Sequence, residues 1–140
     1  FAGFYNQSEG TVVYAINTDH NTNSYAVAAF SDGTSNNTWY SVAGQNEGTV
    51  IAAGVISCEF TVALPAAGSL KIAMSIEAND FSISSNGGAV LTDSSGAVPV
   101  VSQLDIGSYI NGVIPINGCI SRLTYWPTRL SNDEIQSLTA

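Results

Sequence analysis

The sequence predicts an all-β sandwich or barrel that is closed by one short helix. Gly, Ser, Thr, Asn and Val are abundant while Lys, Glu and Leu are scarce, a bias that favours strands and turns over helices. Short apolar runs alternate with turn signals such as "SDG" at 31–33 and "NGG" at 86–88. The 140 residues suffice for one domain, 1–140, with a buried core.

The strand-like runs follow one another along most of the chain. We expect strands at 10–17, 24–33, 38–42, 48–54, 55–64, 71–77, 81–84, 89–92, 98–106 and 118–126. The clearest is 71–77, where Ile72, Met74 and Ile76 alternate with polar or small residues, as in a strand with one solvent-facing side. Phe81 and Ile83 continue this alternation after a tight connection, which predicts an antiparallel meander.

The C-terminal segment changes character abruptly at Pro127, which we expect to end the last strand. Ser131 and Glu134 have the S-x-x-E spacing of a capping box. Leu130, Ile135 and Leu138 then form an apolar stripe at helical spacing. The sequence therefore predicts a short helix that packs back on the sandwich, with its acids acting as caps rather than catalysts.

The charge balance restricts the partners. Three Lys and Arg residues stand against eleven acids, which gives a formal net charge of −8. A nucleic-acid or anionic-membrane surface requires cations that this chain lacks, and no apolar run approaches the roughly 20 residues of a membrane span. Neutral or weakly charged partners remain, and sugars are one such class. Because the chain starts without Met or a signal-peptide pattern, we expect a fragment of a larger protein.

Cys58 and Cys119 both fall in strand-like runs. Neighbouring strands would allow a disulfide, although the spacing does not prove one, and two buried free thiols are the other interpretation. The sequence contains no CxxC motif and no His/Cys cluster, so a zinc site is not predicted.

Several segments carry a family resemblance. The run "INGCISRLTYWPTRLSNDEIQSLTA" resembles the closing motif of laminin-G-like (concanavalin A-like lectin/glucanase) jelly rolls. The matching positions are Gly118, Ile120, Leu123, Tyr125, Arg129, Leu130, Ser131, Glu134, Ile135 and Leu138. "KIAMSIEANDFSISSNGGAV" resembles the family hairpin, and "SEGTVVYAI" and "LDIGS" resemble two further strands. The resemblance implies a two-sheet antiparallel jelly-roll sandwich with one short C-terminal helix.

The "YWPTRLSN" tail and the "AND…NGG" hairpin are most similar to the version found at the ends of bacteriophage tail proteins. This resemblance implies a non-catalytic carbohydrate-binding or receptor-binding module of a tail fibre or tailspike, located on the virion or extracellularly. Avidity would come from multivalency if the parent protein is a homotrimer. The alternative is a structural or oligomerisation module without a specific ligand. Ser121 departs from the Asp that many relatives carry after the Ile of the last strand.

Catalysis is not predicted. Related glucanases carry Glu-x-Asp-x-x-Glu on one strand, whereas Glu59 and Glu77 are single acids on their strands. His20 is the only histidine and lies in a polar loop, without a GxSxG turn elsewhere to support a Ser-His-Asp arrangement. Three cations are also too few for a polysaccharide lyase of this fold. We therefore expect a binding module rather than an enzyme.

Two segments offer the groups that a sugar site needs, namely a flat aromatic ring and polar side chains. The first is "SDGTSNNTWY", which supplies Asp32, Asn36, Asn37, Trp39 and Tyr40. Because alternation sends adjacent aromatic residues to opposite faces, only one of Trp39 and Tyr40 is expected in the core. The second is "GSYINGVIP", which supplies Tyr109 and Asn111. In both segments, ordinary turn and core roles are the alternative.

Calcium is common in this superfamily and is held there by oxygen ligands from rim loops. The resemblance implies that Asp19, Asp32 and Asp105, which lie in or next to predicted loops, could serve as ligands. No EF-hand spacing is present, and no other cofactor is predicted.

Overall fold

The computed structural model describes residues 1, 3–18, 25–43, 47–62 and 68–140. In these ranges the chain forms ten strands, a short 3-10 turn at Ile110–Gly112 and one α-helix, α1, at Asn132–Thr139. The strands are β1 (Glu9–Thr18), β2 (Tyr25–Ser31), β3 (Thr38–Ala43), β4 (Glu47–Ala52), β5 (Val55–Thr61), β6 (Gly68–Glu77), β7 (Asp80–Ser85), β8 (Leu91–Asp93), β9 (Gln103–Ile106) and β10 (Gly118–Trp126). The predicted runs at 89–92 and 98–106 thus correspond to the short strands β8 and β9.

The strands form two five-stranded sheets, and every named pairing is antiparallel. The first sheet has the order β10-β1-β6-β7-β8 and the second has the order β5-β4-β3-β2-β9. The predicted all-β, two-sheet antiparallel jelly-roll sandwich with one short C-terminal helix is confirmed.

One apolar core fills the space between the two sheets. Its fully buried side chains come from both sheets and include Tyr14, Ile16, Phe30, Trp39, Ile72, Met74, Ile76, Phe81 and Ile83. The two layers approach closely at Gly48 of β4, where an added Cβ would lie 2.6 Å from Cδ1 of Ile83 on β7. A side chain at position 48 would therefore displace the ends of the Ile83 and Met74 side chains, so the close packing here favours a glycine.

The β6–β7 hairpin has the predicted register, with Ile72, Met74 and Ile76 facing the core. The solvent-facing side that the alternation predicted is nevertheless wrong, because Ala73 and Ser75 are fully buried as well. Helix α1 covers this outer face, where Ile135 packs against Ala73 and Val13 of β1. The helix thus converts a half-exposed sheet into a buried layer.

The capping box predicted at Ser131 and Glu134 is confirmed. Ser131 N donates to Glu134 Oε2 at 2.8 Å, and Glu134 N donates to Ser131 Oγ at 3.4 Å. Hydrogen bonds from the Ser131 side chain and backbone lower the pKa of the Glu134 carboxyl. Within the described ranges, no helix is long and apolar enough to cross a membrane.

The two cysteines do not lie on neighbouring strands. Cys58 belongs to β5 of the second sheet and Cys119 to β10 of the first, and both are free thiols. The prediction of two buried thiols is correct for Cys58 and wrong for Cys119, which is exposed at the sheet edge. Burial raises the pKa of the Cys58 thiol to about 12, so this thiol stays protonated at neutral pH.

Two buried threonines are expected to respond in opposite directions to the same substitution. Thr11 Oγ1 donates to the carbonyl oxygen of Thr128 and accepts from Leu130 N, each at 2.9 Å. Thr49 Oγ1 is buried and has no hydrogen-bond partner among the residues that the structure describes. Thr11→Val should lower the free energy of unfolding by about 1–3 kcal/mol, because it leaves buried backbone groups unpaired. Thr49→Val should leave it unchanged or raise it by up to about 1 kcal/mol. Urea unfolding of both variants measures the difference, and a larger loss for Thr49→Val would contradict it.

Candidate functional site

The two sequence segments proposed as separate candidates lie side by side. The rings of Tyr40 on β3 and Tyr109, which follows β9, are in edge contact with their centroids 4.8 Å apart and their planes at 67°. Asn111 Nδ2 donates to the carbonyl oxygen of Gly33 at 3.3 Å, which joins the tip of the second segment to the β2–β3 loop. We call Tyr40, Tyr109 and Asn111 the tyrosine surface.

The segment 107–116 is held against the second sheet through its backbone. Gly107 N donates to the carbonyl oxygen of Val27 at 2.8 Å, and Ala26 N donates to that of Ile114 at 3.2 Å. Ile114 has a φ of +43°, which is unfavourable for a β-branched residue. Asn111 at the tip also has a positive φ, +58°, which asparagine tolerates more readily. The fold therefore imposes a defined conformation on this segment, and Tyr109 is placed over Tyr40.

Strand register shows which face carries the tyrosine surface. The row that includes Trp39 faces the core and consists of Leu104, Phe30, Trp39, Val50 and Cys58, one residue from each strand. The next row must face outward, because successive side chains in a strand alternate. It consists of Asp105, Ala29, Tyr40, Thr49 and Glu59, and we call it the outer row. Tyr40 therefore lies at the centre of the outer face of the second sheet, where its row neighbours Ala29 and Thr49 are themselves covered and buried.

Trp39, predicted as a possible sugar-stacking residue, is a core residue. Its side chain is fully buried, its ring stacks on Phe30 with centroids 4.3 Å apart, and its Nε1 donates to the Tyr5 hydroxyl at 3.0 Å. A ring with no exposed face cannot accept a sugar. Trp39 is thus removed from the candidate site, whereas Tyr40 is half-buried and remains a candidate.

The polar residues of the β2–β3 loop mainly hold the loop itself together. The Asp32 carboxylate accepts from Thr34 N at 2.8 Å, from Thr34 Oγ1 at 2.6 Å and from Asn37 Nδ2 at 2.9 Å. These hydrogen bonds, led by those from the Thr34 and Asn37 side chains, lower the pKa of Asp32. Asn37 Oδ1 accepts from Ala53 N at 2.9 Å. This geometry supports the turn alternative for Asp32 and Asn37, while the exposed Asn36 side chain stays a candidate.

The tyrosine surface combines aromatic faces with polar groups. Tyr40 and Tyr109 are both half-buried, and Asn111 is exposed. Partial burial, with a further contribution from Tyr40, raises the pKa of Tyr109, so the Tyr109 hydroxyl is protonated and can donate a hydrogen bond at neutral pH. The surface thus offers an apolar platform together with hydroxyl and amide groups.

The carboxylates of the outer row, Asp105 and Glu59, are too far apart to cooperate in hydrolysis. They occupy the two edge strands, and four strand spacings separate them by roughly 19 Å. Glycoside hydrolysis requires two carboxyl groups within about 5–9.5 Å. Among the carboxylates whose side chains the structure describes, the outer row therefore contains no pair spaced for glycoside cleavage.

The calcium candidates are only partly described. Asp32 is engaged as above, Asp105 Oδ2 accepts from Gln103 Nε2 at 2.9 Å, and Asp19 lies outside the described residues, as does His20. Among the residues that the structure describes, no three of the His, Cys, Asp and Glu side chains form a group that could hold a metal ion. The calcium site stays a prediction.

A second concave region lies on the opposite side of the molecule, between β10 and α1. This groove has a volume of about 450 Å³ and is mostly apolar; it is lined by Trp126, Leu130, Asp133, Glu134, Ser137 and Leu138. The Glu134 carboxylate is already engaged by Ser131. Because few free polar groups converge there, the groove meets the requirements of a sugar site less well than the tyrosine surface.

Comparison with solved structures identifies the fold class. The chain superposes on the CBM40 module of the Ruminococcus gnavus IT-sialidase bound to α2,3-sialyllactose with a TM-score of 0.80 and 15% identity, over 96% of this chain and 84% of that one. It also matches domains LG4-5 of mouse laminin α1, with a TM-score of 0.63 and 14% identity over 91% of this chain and 38% of that one. The chain therefore has the laminin-G-like, concanavalin A-like jelly-roll fold.

A larger enzyme contains a similar unit. The NanB sialidase of Streptococcus pneumoniae matches with a TM-score of 0.76 and 13% identity, over 95% of this chain but only 24% of the sialidase chain. No family model and no curated protein sequence matches this chain. At these identities the similarity establishes the fold, and the binding surface has to be argued from this chain's own residues.

Proposed function

We propose that this chain is a non-catalytic carbohydrate-binding module that uses the tyrosine surface. The observation that carries the proposal is the contact between Tyr40 and Tyr109, which places two half-buried tyrosines together on the outer face of the second sheet. Further support comes from structural neighbours with this fold whose CBM40 module is bound to sialyllactose.

The physical basis is the match between an aromatic face and a sugar ring. A pyranose presents one face of C–H groups, which pack against an aromatic ring, while its hydroxyls need fixed donors and acceptors. Tyr40 and Tyr109 would supply the rings, and the exposed Asn111 and Asn36 side chains would supply hydrogen bonds. The shallow site implies weak, reversible binding of each glycan unit.

The finer proposal concerns the parent protein. The phage-like closing motif supports a module at the end of a tail fibre or tailspike that attaches to host-surface glycans, on the virion or outside the cell. If the parent protein is a homotrimer, three weak sites would act together and raise the avidity.

The alternative of a structural or oligomerisation module has one supporting observation. Val55 and Ile56, at the start of the edge strand β5, are 67% and 56% exposed. Exposed apolar residues on an edge strand suit contact with another subunit. Light scattering on the isolated chain distinguishes a stable oligomer from a monomer.

A glycan array tests the proposed function. The chain, displayed on a multivalent carrier to compensate for weak single sites, should retain a subset of glycans. Tyr40→Ala and Tyr109→Ala should each weaken this binding about tenfold, which corresponds to about 1.4 kcal/mol. Tyr40→Phe and Tyr109→Phe, which keep the rings, serve as matched controls and should retain most of it. An array without any bound glycan, or a double alanine variant that binds as the unchanged chain does, would contradict the proposal.

A further inference from the structure

We infer that the tyrosine surface selects neutral glycans and rejects glycans that end in a sialic or uronic acid. This inference rests on the proposed function and specifies its ligand class. It also sets the chain apart from the structural neighbours with bound sialyllactose. The distribution of charged groups and the use of backbone N–H groups support it.

All three cationic side chains of the sequence lie away from this surface. Lys71 is on β6 and Arg122 is on β10, both in the first sheet, and Arg129 lies between β10 and α1. Arg129 is also engaged, because its Nη2 lies 2.7 Å from Asp80 Oδ1 and its side chain is only 10% exposed. Recognition of a carboxylate normally uses such a cation, most often arginine in a two-pronged contact. Among the residues that the structure describes, the second sheet carries no Lys or Arg.

The charges near the tyrosine surface are acidic instead. The outer row places Asp105 and Glu59 on either side of Tyr40, each two strands away and thus roughly 10 Å from it along the sheet. The Asp105 side chain is half-buried and that of Glu59 is exposed. An anionic sugar stacked on Tyr40 would meet two like charges without a compensating cation, which disfavours it relative to a neutral sugar.

Backbone N–H groups could in principle replace a cation, since a cluster of them can bind an anion. In the segment 107–116 several of these donors are already used. Tyr109 N donates to the carbonyl oxygen of Val113 at 2.7 Å, Gly112 N to that of Tyr109 at 3.0 Å, and Ile116 N to that of Gly107 at 2.7 Å. Those N–H groups are not available to an anion, and the uncharged polar side chains of Tyr109 and Asn111 suit sugar hydroxyls better than carboxylates.

The test is an array of matched glycan pairs that share one core and differ only in a terminal sialic acid, with lactose and α2,3-sialyllactose as one pair. The retained glycans should be neutral and should bind at least tenfold more tightly than their sialylated counterparts. Their binding should change little between 50 and 500 mM NaCl, concentrations chosen to span weak and strong screening. Equal or stronger binding of the sialylated members would overturn the inference and leave the proposed function intact. The absence of any bound glycan would overturn both.

A second experiment on the same inference reverses the charge at Asp105. Asp105→Lys should raise the binding of sialylated glycans about threefold or more, because it replaces a repulsive charge with an attractive one beside Tyr40. Glu77→Lys, which makes the same charge change on β6 of the first sheet, is the matched control and should have no effect. If both variants behave alike, the charges of the second sheet do not set the specificity and the inference fails.

Discussion

Replacing Trp39 by alanine is expected to lower the free energy of unfolding by about 3–5 kcal/mol, a large share of the roughly 5–15 kcal/mol typical of a domain. The indole is fully buried, stacks on Phe30 and donates to the Tyr5 hydroxyl. Its removal leaves a cavity between the two sheets and a hydroxyl without its donor. Urea unfolding followed by circular dichroism measures the loss.

Tyr40→Ala is the matched control, because the two residues are adjacent in β3 and differ in the face they occupy. Tyr40 is half-buried on the outer face, so its removal should cost about 1 kcal/mol, well below the loss for Trp39. A loss for Tyr40→Ala equal to that for Trp39→Ala would show that the assignment of inner and outer rows is wrong.

The second large effect is expected at Ile135 of α1. Its side chain is fully buried against Val13 and Ala73 on the outer face of the first sheet, and Ile135→Ala should cost about 2–5 kcal/mol. The loss should lie at the high end, because the variant also weakens the attachment of the helix that covers this sheet. Thermal or urea unfolding of Ile135→Ala measures this loss in the free energy of unfolding.

Leu138→Ala provides the comparison within the same helix. Leu138 is only partly buried beside the same cluster, so its truncation removes less contact and should cost less than that of Ile135. If both variants lowered the free energy of unfolding by the same small amount, α1 would not pack tightly on the first sheet. The conclusion that it buries Ala73 and Ser75 would then be wrong.

Local patterns in the sequence predicted much of the fold. The alternation of Ile72, Met74 and Ile76 placed the β6–β7 hairpin in its correct register, and Ser131 and Glu134 marked the helix start. Both are short-range signals, since alternation and capping depend on residues close together in the chain. These signals also located the turns that separate the strands.

The features that the sequence failed to predict depend on contacts between distant segments. The outer face of β6 looks solvent-facing by alternation, and only the packing of Ile135 against Ala73 buries it. Alternation also showed that Trp39 and Tyr40 face opposite ways, but not which of them faces inward. Strand pairing with core residues of β2 and β4 decides that question.

In the candidate site, too, residue types could be read from the sequence but contacts between distant segments could not. Asp32, Asn37 and Trp39 were chosen for their side-chain types, and the structure engages all three in the fold. Tyr40 and Tyr109 are 69 positions apart, and the sequence offers no signal for their contact. That contact is produced by the path of the segment 107–116 across the second sheet.

The location of the bound glycan tests the central claim most directly. Chemical-shift mapping of the ¹⁵N-labelled chain, titrated with a neutral glycan retained on the array, should show its largest changes at Tyr40, Tyr109 and Asn111. Changes concentrated instead around Trp126 and α1, or around Arg122 on the first sheet, would contradict the assignment of the binding surface to the outer face of the second sheet.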